Sequence, residues 1–197
     1  GTLTIGTGTT FDPATYAITG TGTNTLDVTG TIKVNASTFA GSYASFETVN
    51  LNAGSTVNYS GTTQTVDNTL LYKNLTISNS GTKTLGGATA ASENLTVDSG
   101  CTLAGASAIT LSGASNTIYG LTGGGTISAP VTLGASYTIN VASGTLSISG
   151  IISGAYNVTK SGAGTVSLTG ANTYTGTTTI SAGTLQIGDN GTTGTLG

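Results

Sequence analysis

Few residues of this chain have the types and spacing that chemistry requires. Its 197 residues include no histidine, and its only basic side chains are Lys33, Lys73, Lys83 and Lys160, with no arginine. Lack of histidine removes the commonest general base, the Ser–His pair and any imidazole-bound metal. Lack of arginine removes the usual clamp for a uronate or a phosphate. The acids are Asp12, Asp27, Glu47, Asp67, Glu93, Asp98 and Asp189. A glycosidase needs two carboxylates about 5–10 Å apart across a cleft. Asp27, Glu47 and Asp67 follow one another at equal intervals. On a chain that repeats with that step they would form an acidic column, able to hold Ca²⁺ or to bond glycan hydroxyls. The bland reading is three solvated turn carboxylates, and the loose spacing of the surrounding sequence favours it. There is no EF-hand loop, Gly-Asp-rich calcium repeat or phosphate-binding loop, and Gly6-Thr-Gly-Thr-Thr10 is not followed by a helix. No metal and no cofactor is therefore expected.

The lysines read as solubilising surface charges. Cys101 is the sole cysteine, which excludes an internal disulfide and points to a buried, inert thiol. Only 6% of residues are charged, the net charge is −3 and the pI is near 4.3, so no basic patch exists for nucleic acid. No apolar run approaches the roughly 20 residues of a membrane-spanning helix. Six Asn-x-Ser/Thr sequons begin at Asn35, Asn58, Asn74, Asn94, Asn157 and Asn190, a number that so Thr-rich a chain produces by chance.

The elements that would position these groups are short strands. No window carries an i, i+3, i+4 apolar stripe, whereas pieces such as Thr145–Ile148, Thr165–Leu168 and Thr184–Ile187 alternate polar and apolar residues. Gly125, Gly144, Gly164 and Gly183 each open a Gly-Thr-apolar triplet and recur at a nearly constant interval. The apolar members, Ile127, Leu146, Val166 and Leu185, are expected to face inward, and the glycines to make corners at positive φ. A second column, Tyr119, Tyr137, Tyr156 and Tyr174, keeps almost the same step. It is expected either to stack as a structural ladder or to present rings to sugars. Looser starts lie at Gly1, Gly30, Gly54, Gly81 and Gly100, and Asn74 and Asn94 open related segments one such step apart.

A period of about 20 with three short strands per unit has one economical solution, a parallel β-solenoid with one coil per unit. The chain is thus expected to be all-β, one solenoid domain over residues 1–197, with about 8–9 coils of roughly 19–25 residues. Coils within 1–115 should be irregular and those within 116–197 regular, at roughly 19–20 residues each. Stacked at about 4.8 Å per coil, they make a rod roughly 40 Å long. Ladders of like charges repel, which explains the scarcity of charge, whereas Thr, Ser and Asn stack well.

The stretch Val158-Thr-Lys-Ser-Gly-Ala-Gly-Thr-Val-Ser-Leu-Thr-Gly-Ala-Asn-Thr-Tyr-Thr-Gly-Thr-Thr-Thr-Ile-Ser-Ala-Gly-Thr-Leu185 closely resembles the autotransporter-associated β-strand repeat, also called the passenger-associated transport repeat. The resemblance is confined to that stretch; elsewhere only the looser Gly-Thr-apolar echo remains. It implies a right-handed parallel β-helix at the cell surface or outside the cell, with no catalytic residue to carry over. The expected function is a non-enzymatic structural rod, stalk or fibre-forming segment of a bacterial surface or secreted protein. The rival is a glycan- or host-binding adhesin face, and a carbohydrate-active β-helix enzyme comes third. The expected partners are other copies stacked end to end through uncapped coils, flanking repeats of a longer chain, or glycans. The Gly1–Thr10 segment resembles Gly183–Thr193, so the chain reads as beginning and finishing on the same element.

Overall fold

The computed structural model describes residues 1–114, 116–120, 124–189 and 194–197. Among these, all strand pairs are parallel, and the chain winds as a β-solenoid of about nine turns. One nine-stranded sheet runs the length of the molecule, from Thr10–Phe11 to Thr178–Ile180. A seven-stranded sheet follows it in each coil from Gln64–Val66 to Thr184–Ile187. The third face is split. A three-stranded sheet (Thr2–Ile5, Thr25–Val28, Thr48–Leu51) serves the first coils, and a five-stranded sheet begins at Leu71–Tyr72. A single helical turn, Phe39–Ser42, lies in the second coil between Thr31–Val34 and Thr48–Leu51, with Thr38 Oγ1 accepting from Gly41 N at 3.0 Å.

Strict alternation dictates the packing. In Thr31–Val34, Thr56–Tyr59 and Asn74–Ile77, every second side chain is buried. Because neighbouring coils pair in register, the inward positions form continuous columns. In the nine-stranded sheet one column runs Phe11, Ile32, Val57, Leu75, Leu95, Ile118, Ile139, Lys160, Ile180. In the seven-stranded sheet another runs Gln64, Lys83, Leu103, Ile127, Ile148, Leu168, Ile187. Where the seven-stranded sheet has not yet begun, aromatic rings fill the interior. Phe39 and Tyr43 pack with centroids 5.0 Å apart, and Phe11 and Phe46 each lie 6.3 Å from Tyr43.

The coil step varies. Along the nine-stranded sheet one coil is long, from Thr31 to Thr56, and the next is short, from Thr56 to Asn74. The coil from Tyr137 to Val158 is intermediate. The Gly-Thr triplets do not all mark one face. Gly1 precedes a strand of the three-stranded sheet, Gly30 one of the nine-stranded sheet, and Gly81 opens one of the seven-stranded sheet. The resembling segments at the two ends therefore lie in different sheets. Residues 190–193 of the second one fall outside the described residues, as does the Asn190 sequon.

Candidate functional site

The expected tyrosine column is not formed. Tyr119 sits on the outer face, level with Asn140, while Tyr137 is buried between Asn116 and Val158. Tyr156 lies exposed between strands, and Tyr174 is fully buried, its hydroxyl 2.7 Å from Thr178 Oγ1. The physical reason is register. Residues that pair across coils here, Tyr137 with Val158 and Val158 with Thr178, are spaced wider than the tyrosines. The tyrosine column therefore slips with each coil and crosses from face to face.

Of the expected core positions, Ile127, Leu146 and Val166 are buried and Leu185 is half-buried. They occupy two columns rather than one. Leu146, Val166 and Leu185 are in register, whereas Ile127 pairs with Ile148. Among the corner glycines, Gly144 and Gly183 adopt positive φ (70° and 69°). Gly125 and Gly164 do not; a Cβ on Gly164 would lie 2.7 Å from Val141 Cγ1, so close packing is what excludes a side chain there.

The acidic column is likewise broken. Asp27 pairs with Asn50 and accepts from Asn52 Nδ2 at 2.8 Å. Glu47 falls short of that register and instead accepts from Asn24 N at 2.5 Å, which holds its carboxyl below the usual range. Asp67 caps its own turn, accepting from Thr69 N and Oγ1 at 2.7 and 2.6 Å. Glu47 and Asp67 nonetheless line one hollow, of about 370 Å³, together with Tyr43, Phe46 and Leu70. It adjoins a second of about 410 Å³ through Val49, Thr69 and Leu70. Asp27 lines neither, so the three acids do not share a cleft. Among the described residues no cluster of three metal-ligating side chains occurs.

Lys83 and Lys160 are not solvated charges. They are 0% and 1% exposed and point into the rod. Lys160 Nζ donates to the carbonyls of Ser161, Gly162 and Ala182 at 2.6, 2.8 and 3.1 Å. Lys83 Nζ donates to Ser78 O at 2.6 Å and to Ser80 O. Both ammonium groups thus satisfy inward-facing carbonyls at the corner between the nine- and seven-stranded sheets. Burial lowers both lysine pKa values. Beside Lys83, burial raises the Cys101 thiol and the Asp98 carboxyl. Lys33, by contrast, makes an exposed ion pair with Asp12 at 2.9 Å.

Two polar assemblies were not anticipated. Asn94 Nδ2 donates to Asn74 Oδ1 at 2.8 Å, and Asn94 Oδ1 accepts from Thr117 N at 3.0 Å, linking three coils. The shared Asn-Leu-Thr starts carried that signal. The Tyr59 and Tyr72 hydroxyls lie 2.8 Å apart and bracket the Asp67 backbone, with burial raising both phenols; no spacing pattern announced them. The sequon amides of Asn35, Asn58, Asn74, Asn94 and Asn157 all carry hydrogen bonds between coils.

The ladders and their closed core define a repeat β-solenoid. Residues 158–187 match the Passenger-associated-transport-repeat family. Over 58 residues the chain is 45% identical to the adhesin BmaC autotransporter of Brucella suis biovar 1 (strain 1330), a stretch covering 29% of this chain and 2% of that protein. No solved structure matches. Residues 158–187 are thus similar to an autotransporter passenger repeat, the described chain is a parallel β-solenoid, and these likenesses fit a surface or secreted location.

Proposed function

We propose that this segment is a non-enzymatic structural stalk within a surface or secreted passenger, holding other parts of its protein away from the cell. The observation that carries this reading is the nine-stranded sheet, which continues from Thr10–Phe11 to Thr178–Ile180 without a break in its ladder. Parallel strands buried on one face and locked by in-register columns resist bending and leave few openings for proteases. At the last coil Ile180 and Ile187 are 55% and 40% exposed. In this reading a further coil stacks there, from a flanking repeat or from a second copy.

Electron microscopy of the purified segment at several concentrations tests the proposal. The expected particles are rods of about 40 Å or end-to-end multiples of them. Compact particles at every concentration, or complete digestion by a protease under native conditions, would overturn it. The adhesive reading is supported by the name of the Brucella relative and by an outer column, Thr76, Thr96, Tyr119, Asn140 and Ser161, held in register. A silent glycan array would sink its glycan form.

A further inference from the structure

The solenoid is zipped on two faces and open on the third at one level. Thr56–Tyr59 and Asn74–Ile77 are ladder neighbours in the nine-stranded sheet, and Thr38 bridges Thr65 on the adjoining face. On the remaining face, Thr48–Leu51 ends the three-stranded sheet and Leu71–Tyr72 ends the five-stranded sheet, and no ladder joins them. The side chains record the opening. Leu26 and Val28 are fully buried, but Val49 and Leu51 in the next rung are only partly so, and Leu71 is 76% exposed. The hollows described above, about 410 and 370 Å³, occupy this gap.

We propose that this gap takes an extended polypeptide strand from a protein partner, which adds to the open strand edges parallel to the coils. Open strand edges are templates for such pairing; their main-chain groups supply affinity and alternate side-chain contacts supply selectivity. The charges set the direction. Glu47 and Asp67 lie where the two flanking segments enter the gap, and Lys73 lies where they leave it. A parallel guest is therefore matched when it carries a cationic side chain near its N-terminal end, aliphatic residues facing Val49 and Leu71, and an anionic side chain near its C-terminal end. A sugar is the poorer guest. Phe39 and Tyr43 are 4% and 2% exposed, and Phe46 is half-buried against Tyr43. These rings leave no open face for stacking, and the most accessible apolar side chains are aliphatic. The proposal does not rest on the stalk reading, since strand capture in the gap needs neither rod-like particles nor end-to-end contact.

The test uses the whole chain and a panel of short fluorescent peptides of alternating valine and threonine, with lysine at the N-terminal and glutamate at the C-terminal end. Matched panels carry the reversed charge order or a proline at the centre, which removes an N–H. Fluorescence anisotropy is expected to give saturable binding for the first panel and at least about tenfold weaker binding for the other two. L71E, and the pair E47Q with D67N, should weaken binding by a similar factor without shifting the thermal melt, because Leu71 and Glu47 are exposed and asparagine keeps the turn cap at position 67. Bound peptide should slow amide hydrogen exchange in residues 48–51 and 70–72. The proposal is overturned if no first-panel peptide saturates below about 1 mM, if proline peptides bind equally well, or if L71E leaves binding unchanged.

Discussion

At the scale of single residues, the two buried lysines carry the clearest physical content. An ammonium inside an apolar column costs desolvation, and Lys160 occupies the same column as Ile139 and Ile180. What offsets the cost is three carbonyls, two from its own corner and Ala182 O from the next coil. Removing the side chain leaves those acceptors without their donor and opens a cavity. K160A is expected to lower unfolding free energy by about 2–4 kcal/mol, read as a shift in urea midpoint at constant slope. K33A removes an exposed ion pair and should cost at most about 0.5–1 kcal/mol. Equal effects of the two would contradict the corner role. Neither buried lysine was legible as such. In one dimension a lysine between polar neighbours looks solvated, and only the register reveals Lys83 beside Gln64 and Leu103.

At the scale of strands and sheets, period and phase separate. Alternation within Thr145–Ile148, Thr165–Leu168 and Thr184–Ile187 pointed to the correct inner face, and the three pair in register. The Gly-Thr start marks a corner before a strand on any face, which is why counting starts suggests about nine coils while mixing the three faces. Phase was lost where loops vary, as at Ile127, which pairs with Ile148 instead of its expected partner Leu146. The Glu47–Asp67 hollow was legible only as a pairing of acids, because the helical turn and split sheet that bring them together have no periodic signature. The column through Ile148 yields a graded expectation. I148A, fully buried between Ile127 and Leu168, should cost about 2–4 kcal/mol. I187A, in the same column but 40% exposed, should cost less than half as much. Chemical denaturation of both variants checks this, and equal losses would mean that the last rung is as well packed as the middle.

At the scale of the molecule, one-dimensional stacking makes stability a sum of coil and neighbour terms, so buried ionisable groups spread along the rod act together. Burial raises the phenols of Tyr43, Tyr59 and Tyr72 well above the usual tyrosine range, and pushes Tyr137 up to about 12. Above pH of about 10 the unfolded chain loses these protons while the folded chain keeps them, so stability must fall as pH rises through the folded values. The buried lysines act with the opposite sign. Their folded pKa values are lowered, so between those values and about 10.4 the unfolded chain holds more protons, and stability rises with pH. The two effects meet at a pH of about 10. The urea midpoint should therefore climb on the acid side of about pH 10, peak near there and then drop steeply, with the phenolate absorbance of the buried rings appearing together with the loss of β-structure rather than before it. In K83M/K160M the climb should vanish while the steep drop remains. Phenolate absorbance that developed fully before unfolding would mean that water reaches these rings in the folded rod, and the closed core would have to be abandoned.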